Sequence, residues 1–194
     1  RVAKTVSEIQ ELKPYLCDVV KEVNKAKNVL LEGTQGFMLS NLYGTYPYVT
    51  SKDVSASTIA ADVGLGPKAI DEVIGVMKSY TTRVGGGPLK NETTVEEAQK
   101  LGMQEYGTVT GRPRRTSKEL HWDDLKLAVQ VNSITQIALT KLDIRFPAVA
   151  GKKKYSDLTA EAKEFVENVE KHLGVPVTLI GTGKDAEDII DRRK

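Results

Sequence analysis

Three polar segments carry the residues whose types and spacing could do chemistry. They are 32–36 (Glu-Gly-Thr-Gln-Gly), 110–116 (Thr-Gly-Arg-Pro-Arg-Arg-Thr) and 140–143 (Thr-Lys-Leu-Asp). The first and third segments each follow an apolar run that is typical of a buried strand. Ligands of α/β proteins bind beyond the carboxyl ends of strands. An amide, an arginine cluster and a Lys-x-Asp pair at such ends indicate a nucleotide and a second anionic ligand.

The Lys-x-Asp pair fits a site that selects guanine. The carboxylate of Asp143 could accept hydrogen bonds from guanine N1–H and the 2-amino group. Adenine lacks this pair of donors and would leave a buried charge unpaired. The apolar stem of Lys141 could lie over the ring. Gly181 and Gly183, which follow a second predicted strand, would let the backbone flank the same base. A surface ion pair is the alternative for Lys-x-Asp alone.

The arginine segment suits carboxylates or phosphates. Arg112, Arg114 and Arg115 surround Pro113, and arginine forms planar, two-pronged hydrogen bonds that lysine cannot form. A solvated basic loop and a nucleic-acid arm are the alternatives. The segment lacks the interleaved aromatic residues that stack on bases, which disfavours the second alternative.

The first segment could contact a nucleobase. Gly33 and Gly36 would let the backbone approach a ligand. The amide of Gln35 both donates and accepts hydrogen bonds, so it could hold a base oxygen and stabilise charge that develops there. The hydroxyl of Thr50 could bind a phosphate. The glycines at 85–87 could also cradle a phosphate, although the Walker pattern is absent from the sequence.

Composition indicates an ordinary globular chain. It has 194 residues and 40% hydrophobic content, which is enough for one sizeable domain. Its net charge of +2 gives no support for nonspecific nucleic-acid binding. Its single cysteine excludes an internal disulfide and fits a reducing compartment. No apolar run approaches the roughly 20 residues of a membrane span. Residue 1 is Arg rather than Met, so we expect a piece of a longer protein.

Hydrophobic periodicity predicts alternating helices and strands, and therefore a mostly parallel sheet flanked by helices. The predicted helices are 5–25 with a break near Pro14, 57–63, 67–80, about 93–101, about 123–134, 156–173, and a last helix from 185. The predicted strands are 29–31, 136–142 and 175–180. We see no internal domain boundary.

Taken in order, these segments resemble the adenylosuccinate synthetase family. The matching stretches are 29–36, 44–51, 64–67, 80–88, 110–116, 131–133 and 139–143, with 174–176 and 181–183 beyond them. No single stretch is unique, but the ordered set is specific. The resemblance implies an α/β fold related to the P-loop NTPases. It also implies an enzyme of AMP biosynthesis that uses GTP to phosphorylate the 6-oxygen of IMP, after which aspartate displaces the phosphate to give adenylosuccinate.

The resemblance further implies residue roles. Gln35 would be catalytic and would contact IMP. The other IMP contacts would be Thr50, Val84 and Arg112. The aspartate contacts would be Thr110, Arg112 and Arg114. The GTP contacts would be Arg114, Lys141, Asp143, Gly181 and Gly183.

Five positions depart from the family pattern. Leu42 and Tyr43 stand where many members have an acidic residue and a histidine. Val109 stands where a second threonine of the aspartate loop is frequent, so one hydroxyl contact would be missing. Gly181 and Lys184 replace the serine and proline often found around the last guanine loop. The roles of Leu42, Tyr43 and Val109 therefore stay open.

The family's phosphate loop, Gly-Asp-Glu-Gly-Lys-Gly, does not occur in the sequence. We therefore expect residues 1–194 to be the C-terminal portion of one α/β synthetase domain, inactive alone. The Mg²⁺ ligands would lie in the missing N-terminal part, with none in this chain. The resemblance implies GTP, IMP and L-aspartate as ligands, a homodimer and a cytoplasmic location, without nucleic acid or membrane. A non-catalytic purine-nucleotide binding module is the alternative.

Overall fold

The computed structural model describes residues 2–108 and 111–193. The strands are β1 (Ile74–Lys78), β2 (Thr81–Arg83), β3 (Arg115–Ser117), β4 (Gln136–Thr140), β5 (Val177–Gly181) and β6 (Ile189–Asp191). The α-helices are α1 (Val2–Leu12), α2 (Val19–Lys25), α3 (Ala56–Asp62), α4 (Val95–Lys100), α5 (Trp122–Asn132), α6 (Leu142–Arg145) and α7 (Ala160–Leu173). Short 3-10 helices span Lys13–Tyr15, Phe37–Leu39, Pro67–Ala69, Pro147–Val149 and Tyr155–Asp157.

The main sheet has four strands in the order β1-β4-β5-β6. β1 pairs with β4 in parallel, from Ile74 opposite Gln136 to Lys78 opposite Thr140. β4 and β5 are also parallel, whereas β6 runs antiparallel to β5. β2 and β3 form a separate antiparallel pair. The prediction of a mostly parallel, helix-flanked sheet is confirmed, and its parallel strands end at one edge.

The hydrophobic core lies between this sheet and α7. Ile137 and Leu139 alternate along β4 and are buried against Val166 and Val169 of α7, which are fully buried. Helical spacing places these valines on one side of α7, so that a single apolar stripe faces the sheet. Burial of this stripe fixes β4, and with it the loop that begins at Thr140. Val76 on the outermost strand β1 is 74% exposed, so the core does not extend to both faces of that strand.

The predicted helix over 67–80 is wrong. A short 3-10 helix covers Pro67–Ala69, and strand β1 follows at Ile74–Lys78. The apolar spacing suited a helix, but β-branched side chains favour a strand once a partner is available. β4 supplies that partner. Gly75 also permits close packing, because a Cβ added there would lie 2.7 Å from Ile134 Cδ1.

The predicted strand over 29–31 and the predicted helix from 185 are also wrong. Residues 29–31 are irregular, and Leu30 is 90% exposed. No strand of the described residues pairs with them, and an isolated strand leaves its backbone groups unsatisfied. After Asp185 the chain turns through a bond from Asp188 N to Asp185 O and forms β6. The two isoleucines of β6 gain ladder bonds to β5 that a short terminal helix would lack.

Other predicted helices are confirmed with shifted ends. The helix over 5–25 divides at Pro14 into α1 and α2, because proline interrupts helical hydrogen bonds. Thr94 caps α4 by accepting a bond from Glu97 N at 3.1 Å. α7 begins at Ala160 after a Thr159 cap rather than at Ser156, and Gly174 ends it with φ of 67°.

Candidate functional site

The predicted guanine loops converge at the carboxyl edge of the parallel strands. Ser79, just after β1, donates its backbone N–H to Thr140 O at 2.9 Å and its hydroxyl to Lys141 O at 2.7 Å. At the end of β5, a Cβ added to Gly181 would lie 3.5 Å from Thr140 Cα. The sheet therefore brings the 140–143 turn and the 181–183 turn side by side.

Asp143 presents a free acceptor at this edge. It lies in α6, whose first residue, Leu142, is fully buried and anchors the turn. Asp143 Oδ1 is buried and has no hydrogen-bond partner among residues 2–108 and 111–193. Buried polar atoms almost always have a partner, so this oxygen is suited to a donor supplied by a ligand.

Lys141 adopts a strained backbone conformation. Its φ of 63° lies in the left-handed region that residues other than glycine rarely occupy. The turn is held by Ser79 and by Arg145, whose Nε donates to Ser79 O at 2.9 Å. Such strain persists where surrounding contacts determine the conformation, and it is concentrated at ligand sites. Gln35, the predicted catalytic amide, also has a left-handed backbone conformation, with φ of 65°.

The Thr182 hydroxyl anchors the 181–183 turn, the second of the predicted guanine loops. Thr182 is fully buried and donates to Lys152 O at 2.8 Å, while its carbonyl accepts from Gly151 N at 2.9 Å. Gly183 has no room for a side chain, since an added Cβ would lie 2.2 Å from Asp188 Oδ2. The backbone of this loop is therefore fixed beside the end of β4.

The predicted aspartate segment is one arm of a hairpin-like arch. Gly107 N donates to Arg112 O at 2.8 Å, and Arg114 N donates to Glu105 O at 2.7 Å. Arg112 is exposed, whereas Arg114 Nε is buried and without a partner among the described residues. The predicted ligand Thr110 and its neighbour Val109 lie outside the described residues.

A charged cluster supports the arch at the end of β1. Glu105 accepts from Lys78 Nζ at 2.6 Å and from the Tyr80 hydroxyl at 2.9 Å, and it faces Arg114 Nη1 at 3.7 Å. Burial would raise the pKa of Glu105, but the bonds from Lys78 and Tyr80 lower it below its ordinary value. Burial lowers the pKa of Lys78, and Glu105 opposes that change. The carboxylate is therefore held in its charged form.

Three predicted residues line one cavity. The cavity has a volume of about 560 Å³, and Gln35, Val84 and Arg114 are in its wall. The other predicted ligands within the described residues do not line this cavity. They are Thr50, Arg112, Lys141, Asp143, Gly181 and Gly183. Gln35, Val84 and Arg114 therefore form a cavity group, and a strand-edge group consists of Lys141, Asp143, Gly181 and Gly183. Thr50 and Arg112 belong to neither group. Arg114 faces Glu105, which accepts from Lys78 at the end of β1.

Arg83 joins the loops of the cavity group. Its side chain is almost fully buried and donates to Gly86 O at 2.9 Å, to Tyr48 O at 3.0 Å and to Thr45 Oγ1 at 2.6 Å. Burial lowers the pKa of this guanidinium, and Arg115 lowers it further. Arg83 therefore fixes the segment that leads to Thr50 against the glycine turn that follows Val84.

Sequence reasoning missed Glu105, Lys78, Tyr80 and Arg83. The Glu105 partners lie 25 and 27 residues away along the chain, and no local pattern signals such a cluster. Arg83 belonged to a recognised segment, but nothing in its spacing distinguished a buried arginine from an exposed one.

Among the residues that the structure describes, no helix is both long enough and apolar enough to cross a membrane.

The fold defines an α/β protein, and its candidate ligand loops lie at the carboxyl edge of the parallel strands. The sequence model of the adenylosuccinate synthetase family matches residues 1–147. The chain belongs to the adenylosuccinate synthetase family.

Curated relatives agree with this assignment. The chain is 52% identical over 200 residues to the adenylosuccinate synthetase of Pyrococcus horikoshii, with 100% of this chain and 58% of the relative covered. It is 51% identical over 197 residues to that of Methanocaldococcus jannaschii, with 100% and 57% covered. The chain thus spans somewhat more than half the length of the relatives that it matches.

Two solved structures are also similar. Fully ligated adenylosuccinate synthetase from Plasmodium falciparum has a TM-score of 0.88 and 28% identity, with 97% of this chain and 56% of that chain covered. A cyanophage S-2L succinoaminodeoxyadenylate synthetase, bound to dGMP and to dATP as an energy donor, has a TM-score of 0.64 and 26% identity, with 84% and 46% covered.

Proposed function

We propose that residues 1–194 are the C-terminal portion of one α/β domain of an adenylosuccinate synthetase. The complete enzyme would ligate IMP and L-aspartate in AMP biosynthesis at the expense of GTP, through a 6-phosphoryl-IMP intermediate. Family membership and the share of the relatives' length support the assignment. The observation that carries the ligand assignment is the buried, unpartnered Asp143 Oδ1 at the strand edge.

Asp143 would select guanine over adenine. Guanine N1–H and its 2-amino group are two donors in one plane, and a carboxylate accepts both. Adenine has no such pair, so its binding would leave the charge of Asp143 desolvated and unpaired. Lys141 would cover the ring with its apolar stem, and Gly181 and Gly183 would border the base.

Gln35, Val84 and Thr50 would hold IMP. The Gln35 amide would bind the 6-oxygen of the base and stabilise the negative charge that develops there during phosphorylation. Val84 would form an apolar wall against the base, and Thr50 would contact the phosphate. Its backbone N–H is already used by Leu39 O at 2.7 Å, so the hydroxyl is the group offered to a ligand.

The arginine arch would bind aspartate. Thr110, Arg112 and Arg114 would contact the amino acid, with Arg112 also near the IMP ribose and Arg114 also near GTP. Guanidinium forks match carboxylates by paired hydrogen bonds. The unpartnered Nε of Arg114 is a buried donor that an anionic ligand would satisfy.

Magnesium would neutralise charge on the transferred phosphoryl group when bound. Residues 2–108 and 111–193 contain no group of three or more His, Cys, Asp or Glu side chains that could hold a metal ion by themselves. On the family's account, the Mg²⁺ ligands would lie in the N-terminal part of the synthetase, outside residues 1–194. We also propose that the complete enzyme is a homodimer in the cytoplasm, and this part of the proposal rests on the family resemblance alone.

Turnover tests the proposal. The 194-residue chain with GTP, IMP, aspartate and Mg²⁺ should form no adenylosuccinate, whereas the full-length synthetase that contains it should form it continuously. Sustained turnover by the chain alone would contradict the proposal that catalysis requires the part of the synthetase outside residues 1–194. A full-length protein that binds GDP without turnover would favour the alternative, a non-catalytic purine-nucleotide binding module.

A further inference from the structure

Glu105 lies between two cations that repel each other. Lys78 Nζ is 2.6 Å from Glu105 Oε2, and Arg114 Nη1 is 3.7 Å from the same oxygen. The side chains of Lys78, Glu105 and Arg114 are 25%, 20% and 32% exposed, so solvent screens them only in part. Burial is the main cause of the lowered pKa of Lys78, and the charge of Arg114, which faces the same carboxylate oxygen, adds to it. The carboxylate compensates this repulsion.

Arg114 is attached to Glu105 through backbone and side chain together. The Arg114 N–H donates to Glu105 O at 2.7 Å. Gln104 Nε2 donates to Glu105 O at 2.7 Å and to Arg114 O at 3.2 Å, so it bridges the arms of the arch. The position of the Arg114 guanidinium therefore depends on where Glu105 is held.

Lys78 and Tyr80 hold Glu105 in turn. Lys78 is the last residue of β1, and Tyr80 is 2% exposed just beyond it. Their two bonds occupy both carboxylate oxygens, and this leaves Arg114 Nη1 at ion-pair distance rather than in a close hydrogen bond. The guanidinium is thereby oriented, yet its Nε remains without a partner in the described chain. Such an arrangement leaves donor capacity for a ligand.

We propose that Glu105 is a positioning residue that holds the Arg114 guanidinium in the orientation for the aspartate substrate. This inference rests on the proposed function, in which Arg114 contacts aspartate. Without the carboxylate, Lys78 and Arg114 repel each other, and the Arg114 fork moves away from the place where a substrate carboxylate would meet it. Precise placement of such a fork is a large part of its contribution to binding.

Glu105→Gln in the full-length synthetase tests the proposal. The amide keeps the shape of the side chain and can still accept from Tyr80, but it removes the negative charge. We expect the KM for aspartate to rise about tenfold while kcat changes less than about threefold. The KM for IMP should stay near the wild-type value.

Glu92→Gln is the matched control. Glu92 accepts from Arg115 Nε at 2.8 Å, so the same change removes a carboxylate partner from the arginine next to Arg114. We expect this variant to leave the KM for aspartate unchanged. Equal effects of the two substitutions would overturn the positioning role, because a general weakening of the arch would then suffice.

Glu105→Asp covers the case in which Glu105→Gln does not fold. It keeps the charge but shortens the side chain, so the KM for aspartate should rise about threefold with kcat unchanged. An unchanged KM for aspartate in a folded variant would overturn the proposal. Absence of turnover in the wild-type full-length protein would instead contradict the proposed function.

Discussion

The hydroxyl of Ser79 donates a 2.7 Å hydrogen bond to the carbonyl oxygen of Lys141. Ser79 is fully buried between the ends of β1 and β4, and Lys141 has the left-handed backbone of a strained turn. The bond therefore connects the two parallel strands at the point where the chain turns toward Asp143. Through this connection, the core beneath β4 determines where the proposed guanine acceptor lies.

Ser79→Ala should weaken GDP binding about fivefold, since a buried carbonyl loses its donor and the strained turn loses one restraint. Isothermal calorimetry with GDP measures the change. Ser117→Ala is the matched control, because Ser117 in β3 is equally buried but its hydroxyl accepts from Glu119 N at 3.2 Å, away from the 140–143 turn. Equal losses of affinity in the two variants would contradict a specific role for Ser79.

Arg83→Lys should raise the KM for IMP about tenfold in the full-length synthetase. Lysine keeps the charge but cannot reproduce the fork that reaches both Tyr48 O and Gly86 O. The segment leading to Thr50 would then lose its fixed position relative to Val84. Arg193→Lys, at an exposed arginine that pairs with Asp191, is the control. An unchanged KM for IMP in Arg83→Lys would show that the loops are placed by other contacts.

The ionised side chain of Asp53 should stabilise the folded chain at neutral pH and lose this effect in acid. Burial opposes ionisation, but hydroxyl donors from Ser55, Thr58 and Ser40 lower the pKa of Asp53 from 3.8 to about 2. A lowered folded-state pKa stabilises the fold above the unfolded pKa, and this contribution is lost as pH falls toward 2.

The contribution of Asp53 is measured by comparing the melting temperatures of Asp53→Asn and the wild type, followed by circular dichroism at several pH values. The melting temperature of the variant should lie a few degrees below that of the wild type at pH 7, and the gap should close between about pH 4 and pH 2. Asp62→Asn, at the end of α3, is the control, because its partner Lys52 forms a pair that is close to half exposed. A gap that does not depend on pH would mean that the carboxylate charge is not what stabilises the loop.

The sequence predicted what depends on neighbours in the chain. Strand β4, helix α7 and the Gly174 cap follow from apolar spacing and from a glycine that accepts positive φ. β1 was mistaken for a helix because its apolar spacing fits both structures, and only pairing with β4 decides between them. Leu30 belongs to an apolar run that predicted a strand, yet no described strand pairs with that run.

The candidate site divides in the same way. Asp143 and Lys141 are predicted from their place after an apolar run, which is a local signal. Glu105 was missed, because its importance comes from Lys78 and Arg114, which only the folded chain brings to it. Residue types in the sequence therefore led to the proposed ligand contacts, whereas the cluster around Glu105 became visible only in the folded chain.

The central claim is that these residues contain a site for guanine. Calorimetry of GDP and ADP binding to the chain, with folding verified by circular dichroism, tests it most directly. We predict that GDP binds, that ADP does not, and that Asp143→Asn weakens GDP binding about a hundredfold. The comparison is informative because a similar solved structure holds dATP as its energy donor. Equal binding of ADP and GDP, or full GDP affinity in Asp143→Asn, would contradict the claim.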